Sequence, residues 1–438
     1  MSLNDHPRAY GTAAIAVAFT AGILLTLGFK DLYPDLERRF HSRDRLRTFP
    51  ETAEEGKRQG RRHGASPVHL EDHESDAAIS AGLEACIGNT PLLQIRSLSE
   101  ATGRVILAKA EFLNGAGNSP KDRVALNMIR EAEKQGLLVP HRGDTIYEGT
   151  VGSTGISLAT LARARGYRAH ICMPDDQALE KSELLHHLGA TVERVAVAPI
   201  TSPDHYVNLA RRRATEHACA AADGSAGFFA DQFETEANWR AHVGGTGPEI
   251  YAQTGGRLDA FVAGAGTGGT ISGVARFLKL EAKMDALRVV LADPQGSGLF
   301  NKIKYGVMYS STEREGTRRR QQVDSVVEGV GVNRVTHNLE AGRDLIDDAV
   351  KVSDEQAYRM ARWLVEKDGI FTGSSSAVNC VAAVATAMKL PPGSRVVTLL
   401  CDPGSRHLSK FYKHIKDMGL EEKEASDLFE ELGIAEEK

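Results

Sequence analysis

The chain has 438 residues, of which 25% are charged and 42% are hydrophobic, and its formal net charge is −5. This composition is ordinary for a globular protein with two or three domains, and the slight negative charge gives no indication of nucleic-acid binding. The five cysteines are scattered without a Cys-x-x-Cys spacing, so we expect no bound metal and no disulfide framework. A reducing compartment is the simplest interpretation.

The first apolar segment is the run from Ala9 to Phe29, which contains no charged residue. As a helix it would be about 31 Å long, the thickness of a bilayer core. A buried core helix, a cleaved signal peptide and a matrix-targeting peptide are the alternatives. The charged segment that follows argues against the first, the long run without a basic start against the second, and the absence of an amphipathic, Arg-rich pattern against the third. We therefore predict an N-terminal membrane anchor in residues 1–30.

Basic residues are placed unevenly around this run. Arg8 precedes it, whereas Lys30 and five arginines follow it by position 47. Because positive residues stay on the cytosolic side, we predict that the catalytic domain faces the cytosol. A moderately apolar anchor with a basic C-terminal flank resembles those of the mitochondrial outer membrane, and the endoplasmic reticulum is the alternative. Residues 31–75 are charged and aperiodic, which predicts a linker.

Beyond about residue 76, short apolar runs alternate with helical patterns. This alternation predicts an α/β fold with parallel strands joined by crossover helices. Helices are predicted from Lys121 to about Gln135 and from Asp354 to about Lys367, the second with Ser353 as its N-cap. Residues 300–322 predict a surface loop, with a basic binding patch as the alternative. The strand-like runs are 104–108, 168–173, 260–263, 287–292 and 394–400.

A glycine-rich turn follows the run 260–263. Residues 264–269 contain the spacing G-x-G-x-x-G between a strand and a helix start, where backbone N–H groups form an anion cradle. Asp293 ends the next strand, about where a dinucleotide site needs an acidic residue, so a nicotinamide site is one interpretation. Thr267 and Thr270 add hydroxyl donors that suit a terminal phosphate monoester. A glycine turn without a ligand is the third interpretation.

Two further loops and one lysine could carry chemistry. The loop 148–157 lies between a strand and a helix, where its hydroxyls and N–H groups could hold a carboxylate. The loop 371–377 contains three serines, and a neutral hydroxyl there could bond a pyridine nitrogen, with a serine-rich N-cap as the alternative. Lys121 could form a Schiff base with an aldehyde cofactor, although a Lys-Asp-Arg triplet alone is typical of a helix start.

These segments occur in the order typical of one family. Over roughly residues 78–415 the chain resembles the fold-type II pyridoxal-phosphate enzymes, in the branch of cysteine synthase and cystathionine β-synthase. The resemblance implies two open, twisted, mostly parallel sheets with helices on both faces. It also implies a catalytic domain of residues 76–420, with a smaller subdomain of about 115–235 inserted in it, and a tail of residues 421–438. With its anchor, the chain is similar to the fungal cysteine synthase 2 type of the mitochondrial outer membrane. The matching segments are 89–92, 118–123, 150–155, 231–234, 247–250, 266–270, 373–375 and 401–404.

The resemblance implies a role for individual residues. Lys121 is the lysine that forms the Schiff base with pyridoxal 5'-phosphate and moves the substrate's α-proton. Ser375 faces the pyridine nitrogen, and Ser153 stands at the position that contacts the cofactor's phenolic oxygen. The phosphate cup consists of Gly266, Thr267, Gly268, Gly269 and Thr270. The substrate carboxylate binds to Thr150, Gly152, Thr154 and Gln232.

Two positions depart from the family's usual Thr-Ser-Gly-Asn-Thr-Gly loop. Val151 takes the place of a serine and removes a hydroxyl from the carboxylate site, and Ser153 takes the place of a longer asparagine. Loss of one such hydrogen bond typically costs about 0.5–1.5 kcal/mol. We therefore expect cofactor binding to survive, and substrate identity and rate to be the properties affected.

The chemistry implied is β-replacement, in which an amino acid loses a β leaving group and a thiol adds. We predict a transferase for cysteine biosynthesis that converts O-acetyl-L-serine and sulfide to cysteine and acetate, and that forms a homodimer. Cystathionine β-synthase, which joins serine and homocysteine, is the alternative favoured by segments 292–297 and 328–331. A membrane-tethered scaffold that binds pyridoxal phosphate with little activity is an alternative of another class, motivated by Val151 and Ser153.

Overall fold

The computed structural model describes residues 82–177, 179–220, 223–308, 325–420 and 428–432. Within them the chain forms two sheets with helices packed against their faces. The prediction of an α/β fold with two mostly parallel sheets is confirmed. The described strands are β1 (Leu92–Gln94), β2 (Val105–Ala110), β3 (Thr145–Gly149), β4 (Arg168–Pro174), β5 (Thr191–Val195), β6 (Gly227–Phe229), β7 (Ala260–Gly264), β8 (Arg288–Pro294), β9 (Asp348–Val352) and β10 (Arg395–Leu400).

The larger sheet has the strand order β1-β2-β10-β7-β8-β9, and the smaller sheet has the order β5-β4-β3-β6. Every pairing is parallel except that of the edge strand β1 with β2. The central strands β3, β7 and β10 are buried on both faces. Strands β7 and β10 are therefore nearly continuous apolar runs, because no face alternates toward solvent, whereas β3 also contains the buried polar residues Thr145 and Glu148.

The helices start and stop where local chemistry favours it. In the helix that begins at Asp354, Ser353 accepts a hydrogen bond from the Gln356 N–H, and the Gln356 side chain accepts one from Ser353, as a capping box does. The helix ends at Gly369 in the left-handed conformation. The predicted N-cap is confirmed. The α-helices are α1 (Arg96–Thr102), α2 (Lys121–Lys134), α3 (Ser153–Ala164), α4 (Leu179–His187), α5 (Tyr206–Ala220), α6 (Glu236–Ala241), α7 (Gly247–Thr254), α8 (Gly269–Ala275), α9 (Leu299–Tyr305), α10 (His337–Glu340), α11 (Asp354–Asp368), α12 (Ser374–Met388), α13 (Lys413–Asp417) and α14 (Leu428–Leu432).

Helix α12 is the most deeply buried helix against the larger sheet. Almost every residue from Ser374 to Ala387 is buried, and the helix packs on α11 and on strands β7 and β10. An all-round apolar helix of this kind is typical of a layer covered on both sides. Its N-terminus is thereby held rigidly at the edge of the larger sheet where the strands end.

The prediction of a fold that includes a membrane-spanning helix is corrected. Residues 9–29 lie outside the described residues, and no helix within the described part of the chain is long and apolar enough to cross a membrane. The predicted run consists largely of Ala, Gly and Thr, which favour a bilayer less than Leu, Ile or Phe do. The fold is therefore an α/β fold of two sheets without a spanning helix in its described part.

The segment 300–322 was predicted to be a surface loop, but its first residues form a helix. Its first residues belong to α9, which ends at Gly306 in the left-handed conformation. Phe300 donates its backbone N–H to the Asp293 carboxylate, which caps this short helix. The prediction missed the helix because Lys302 and Lys304 make its outer face polar. Residues 309–324 lie outside the described residues.

Candidate active site

A cleft of about 1160 Å³ opens at the carboxyl ends of strands from both sheets. Its walls carry the segments that follow β3, β7 and β10, together with the first residue of α2. Parallel strands bring the segments that follow them to one edge of a sheet, which is where open α/β folds bind ligands. The topology therefore brings sequence-distant loops to one place.

Lys121 lines this cleft as the first residue of α2. Burial lowers the pKa of its ammonium, against the opposing influence of Cys401 and Asp402. A desolvated lysine carries more neutral amine near pH 7, which is the nucleophilic form. The neighbouring Asp122 accepts hydrogen bonds from the Gly117 N–H at 2.6 Å and from the Ser157 hydroxyl at 2.5 Å. These bonds fix the turn before Lys121 against helix α3.

A buried ion network holds α2 on its other side. Arg123 binds Glu111 at 2.7 Å and Glu249 at 2.6 Å, and Glu249 also binds Lys109 at 2.5 Å. Burial pushes the pKa of Glu249 up, but hydrogen bonds from Arg123 and Lys109 outweigh it and lower the pKa to about 2. The helix that begins at Lys121 is thereby tied to β2 and α7.

The glycine-rich loop after β7 is packed too tightly for side chains. A Cβ atom at Gly266 would lie less than 3.0 Å from the Gly329 carbonyl oxygen. At Gly268 it would meet Leu339, and at Gly269 it would meet Asn238. Gly268 also has a φ of +83°, which favours glycine. The backbone of this loop therefore comes close to the cleft, as an anion cradle requires.

Three polar side chains hold this loop from behind. The Thr336 hydroxyl donates to the Thr267 carbonyl at 2.6 Å, and the Asn238 amide donates to the Thr267 hydroxyl at 3.0 Å. The His242 Nε2 atom lies 3.1 Å from the Thr270 hydroxyl. Burial lowers the pKa of His242 well below its ordinary value, so the ring is neutral at pH 7. The loop is preorganised by neutral hydrogen bonds.

The loop after β3 is built more openly. Val151, Gly152 and Ser153 are only partly buried, and all three line the cleft. The nearest atom to a Cβ placed at Gly152 would be the Lys181 Nζ atom, at 4.0 Å. Helix α3 starts beside the cleft, and the unpaired backbone N–H groups at a helix N-terminus favour an anion.

Thr154 and Gln232 stand together beside this loop. The Thr154 hydroxyl donates to the Gln232 Oε1 atom at 2.6 Å. The Gln232 amide nitrogen lies 3.3 Å from the carboxylate of Glu148 and 3.4 Å from the Gly149 carbonyl oxygen. Thr154, Gln232 and Glu148 are all buried, and they form one hydrogen-bonded chain that leads away from the cleft.

Ser375 and Cys401 form the wall nearest α12. Ser375 follows the N-terminus of α12, and Cys401 follows β10. Burial raises the pKa of the Cys401 thiol to about 11, with Asp402 adding to the rise and the Ser375 hydroxyl opposing it. Cys401 is therefore a neutral thiol at physiological pH.

The mouth of the cleft carries charge. Glu328 binds Lys181 at 2.8 Å and Lys410 at 3.3 Å. His407 and Asp402 are both buried, and the His407 Nε2 atom lies 3.0 Å from an Asp402 carboxylate oxygen. Lys181 belongs to α4 beside the smaller sheet, so its ion pair with Glu328 crosses the cleft.

The structure brings the predicted site residues together around this cleft, with one exception. Gly269 does not line the cleft, because it is already part of α8 and points toward Asn238. Sequence reasoning missed His242, Asn238, Thr336 and Glu148, which carry no motif of their own. The predicted residues that line the cleft are Lys121, Thr150, Gly152, Ser153, Thr154, Gln232, Gly266, Thr267, Gly268, Thr270 and Ser375.

Comparison with known proteins identifies the family. The family model described as "Pyridoxal-phosphate dependent enzyme" matches residues 83–402. The chain belongs to this family. It is 70% identical to "Cysteine synthase 2" of Neurospora crassa, and the alignment covers 100% of both chains. The predicted membership of the fold-type II pyridoxal-phosphate enzymes is confirmed, and the cofactor is pyridoxal phosphate.

More distant relatives agree with this assignment. The "Putative mitochondrial cysteine synthase" of Saccharomyces cerevisiae is 56% identical over 78% of this chain and 87% of its own length. "Cystathionine beta-synthase" of Mus musculus is 38% identical, over 74% of this chain and 54% of its own. The crystal structure of O-ureido-L-serine synthase matches with a TM-score of 0.65 and 31% identity, over 78% of this chain and 99% of that one.

The residues present fit pyridoxal phosphate. The cleft contains a lysine whose pKa is lowered by burial, which suits a covalent bond to an aldehyde. The same cleft is lined by the backbone of the loop after β7, which has no room for a Cβ at Gly266 or Gly268, and by Thr267 and Thr270. Asp293, which a nicotinamide site would use, instead binds Lys351 and the Phe300 N–H on another side of β8. The nicotinamide interpretation is therefore wrong.

Proposed function

We propose that this protein is a cysteine synthase that replaces the acetate of O-acetyl-L-serine with sulfide. The observation that carries the proposal is the buried Lys121 amine, in one cleft with an anion cradle and a second anion site at the start of α3. A phosphorylated aldehyde cofactor and an amino-acid carboxylate need these two anion sites. The relative that matches the full length bears the name cysteine synthase 2.

Lys121 is proposed as the residue that bonds the cofactor and then moves the substrate's α-proton. When bound there, pyridoxal phosphate supplies the electron sink that makes loss of that proton possible. The lowered pKa of Lys121 supports this role, because the free amine can accept the proton near pH 7. Asp122 and Arg123 hold the start of α2 from two sides, so the amine is kept in position.

The phosphate cup is proposed to consist of Gly266, Thr267, Gly268, Gly269 and Thr270. The packing of these glycines and the hydrogen bonds behind Thr267 and Thr270 support it. Ser375 is proposed to face the pyridine nitrogen, as a neutral hydroxyl at the N-terminus of α12. Ser153, the first residue of α3, is proposed to lie beside the cofactor ring.

The substrate carboxylate is proposed to bind Thr150, Gly152, Thr154 and Gln232. These residues surround the N-terminus of α3, whose N–H groups and dipole favour an anion. Val151 contributes no donor there, so the site relies on backbone groups and on Thr154 and Gln232.

Cystathionine β-synthase activity is the second candidate. One observation favours it, which is the charged mouth of the cleft, where Glu328 lies between Lys181 and Lys410. An amino-acid thiol such as homocysteine carries both an ammonium and a carboxylate that could pair with these groups, whereas sulfide has neither. A scaffold with little activity is the third candidate, and the departures at Val151 and Ser153 motivate it.

One experiment separates the three. Purified protein is incubated with O-acetyl-L-serine and sulfide, and separately with L-serine and homocysteine, while products are followed by chromatography. We expect cysteine in the first reaction at a specificity constant at least about tenfold above that for cystathionine in the second. Cystathionine as the main product would favour the second candidate. Cofactor absorbance without turnover in either reaction would favour the scaffold.

A mitochondrial location and a homodimeric state are further parts of the proposal. The name of the yeast relative supports the first, and the usual state of the family supports the second. Fractionation of cells that express the full-length chain tests the location, with cysteine synthase activity expected in the mitochondrial fraction. Light scattering on the purified protein tests the state, with a mass of twice 47.3 kDa expected.

A further inference from the structure

Glu148 is a buried carboxyl group that the proposed reaction does not use. It lies near the end of β3, is fully buried and does not line the cleft. One of its oxygens accepts the Gln232 backbone N–H at 3.2 Å and the other the Gln232 side-chain amide at 3.3 Å. Within the described residues, no basic side chain forms an ion pair with it.

The surroundings of Glu148 disfavour its charged form. Burial raises the pKa of Glu148 to about 8, and the Asp231 carboxylate, after β6, adds to the rise. Burial also raises the pKa of Cys172, on β4, and of Tyr206, at the start of α5, each to about 12, so both stay neutral and add no further negative charge. Arg211 on α5 forms an ion pair with Asp231, at 3.2 Å.

The hydrogen-bond chain from the cleft to Glu148 has a direction. Thr154 donates its proton to the Gln232 oxygen, and the Gln232 nitrogen donates to Glu148. A hydroxyl has one proton, so in this direction Thr154 has none left for a substrate carboxylate. An ionised Glu148 enforces this direction because it can only accept hydrogen bonds.

A protonated Glu148 permits the opposite direction. Its O–H then donates to the Gln232 oxygen, and the Gln232 amide turns end for end, giving up its long 3.4 Å contact with the Gly149 carbonyl, so that its nitrogen donates to the Thr154 oxygen. The Thr154 proton becomes free to point into the cleft. In this direction the Thr154 hydroxyl can donate a hydrogen bond at the carboxylate site, which it cannot do in the first direction.

We propose that binding of the substrate's α-carboxylate takes up a proton onto Glu148 and reverses the Thr154–Gln232–Glu148 chain. The substrate carboxylate favours the protonated form twice, because it repels a nearby negative charge and because it needs the Thr154 proton. Glu148 acts through Gln232 and is therefore a positioning residue. The inference rests on the proposed function, since the carboxylate in question is that of the amino-acid substrate.

The test measures protons taken up when L-alanine binds to the holoenzyme. Alanine has the carboxylate and amine of the substrate but no β leaving group. Proton uptake at pH 8 is obtained from the binding enthalpy in buffers of different ionisation enthalpy. We compare the wild type with Glu148→Gln, whose neutral amide can donate or accept, and with Glu131→Gln, which removes an exposed carboxylate on α2.

We expect the wild type and Glu131→Gln to take up about half a proton more than Glu148→Gln, because a group with a pKa near the working pH is half-protonated before binding. Protons that the alanine amine releases or takes up on binding are the same for every variant, so they cancel when the proton uptake of two variants is compared. Equal proton uptake by the wild type and Glu148→Gln would overturn the proposal. If alanine left the cofactor absorbance of the wild type unchanged, the proposed amino-acid site itself would be wrong, which is a different failure.

A second measurement needs no ligand, and its first part uses the wild type alone. Infrared difference spectra of the wild type are recorded as the pH is lowered from 9.5 to 6.5. Ordinary carboxylates titrate near pH 4, so the appearance of a protonated-carboxyl band in this range reports a buried acid such as Glu148. We expect such a band, and its loss in Glu148→Gln. A spectrum without it would overturn the proposal even if the variant failed to fold.

Discussion

The two loops that face each other across the cleft are built differently. The loop after β7, on the larger sheet, has no room for a Cβ at Gly266, Gly268 or Gly269, and three buried polar side chains hold it from behind. The loop after β3, on the smaller sheet, is partly exposed, and a Cβ at Gly152 would meet nothing closer than 4.0 Å. The side proposed for the cofactor is fixed by packing, whereas the side proposed for the substrate is open.

This difference teaches where sequence change can be tolerated. A residue in the larger-sheet loop is constrained by backbone and buried side chains on several sides, so substitution there disturbs the cradle. Val151 and Ser153 lie in the loop without such constraints, and they are the two positions where the sequence resemblance predicts a departure from the family's usual loop. Substrate preference can therefore change without loss of the cofactor site.

The largest effect is expected at Lys121, which we propose acts on both the cofactor and the substrate. Replacement by alanine removes the amine that we propose bonds the cofactor and moves the α-proton, and turnover should fall by more than about 10³-fold. The cofactor's Schiff-base absorbance should disappear as well. Lys134→Ala removes an exposed lysine at the other end of α2 and should change neither property. Turnover within tenfold of the wild type in Lys121→Ala would contradict the assignment.

The ion network behind α2 should matter more than a comparable pair on the smaller sheet. Glu249→Gln leaves Arg123 and Lys109 short of a partner in a buried site and should lower the free energy of unfolding at pH 7 by about 3–5 kcal/mol. The partly exposed pair Arg213–Glu193 is the control, and Glu193→Gln should cost no more than about 1 kcal/mol. Urea unfolding followed by circular dichroism measures both. Equal costs would contradict the difference between the two sides.

The same network gives a pH dependence with a definite sign. Glu249 has a pKa of about 2 in the folded protein, below its ordinary value of about 4.3. Its contribution is present above the unfolded pKa and is lost as pH falls from about 4.5 toward 2. The stability difference between the wild type and Glu249→Gln should therefore shrink across this window. A difference that stayed constant down to pH 3 would contradict this account.

A pair of glycine substitutions compares the two loops directly. Gly266→Ala forces a Cβ against the Gly329 carbonyl and should weaken pyridoxal-phosphate binding by about 10–100-fold, the range expected of overpacking. Gly152→Ala places a Cβ in open space on extended backbone, with a φ of 174°, and should change that affinity by less than about threefold. Titration of the apoprotein with cofactor measures both. Similar losses would mean that the substrate loop is as tightly built as the cradle.

The smallest effect is expected at Val151. Val151→Ser returns a hydroxyl to the open loop, and one additional hydrogen bond to the substrate carboxylate should lower KM for O-acetyl-L-serine by about 2–10-fold with kcat little changed. Val151→Thr, which keeps the branched shape, serves as the matched variant. If neither variant lowered KM, position 151 would not contact the substrate.

The parts of the fold that the sequence predicted are those with strong local patterns. Strands β7, β8 and β10 are continuous apolar runs bounded by glycine or by charge, and α11 carries its own N-cap. Their ends differ from the predicted ones by one or two residues, because pairing with neighbouring strands sets where a ladder stops. The helix α9 was missed because its polar outer face resembles a loop.

The residues of the candidate site also fall into those that a local pattern predicts and those that it does not. Residues that contact the cleft lie in motifs, and their spacing to glycine and to strand ends could be recognised. His242 and Glu148 act from behind the cleft, and each reaches its partner only because separate elements pack together. No local pattern distinguishes such residues from ordinary buried polar groups. The predicted membrane anchor rested on composition alone: residues 9–29 lie outside the described residues, and no helix within the described part of the chain is long and apolar enough to span a membrane.

The protonation state of Cys401 determines how readily this cleft residue reacts with disulfides. An enzyme that makes cysteine works among sulfide, thiols and any disulfides that they form. With a pKa of about 11, the Cys401 thiol is ionised in roughly one molecule in 10³ or fewer at neutral pH, and only the thiolate exchanges with disulfides. Burial beside Ser375 therefore keeps this cleft-lining sulfur in its thiol form, which slows its exchange with disulfides that the product forms.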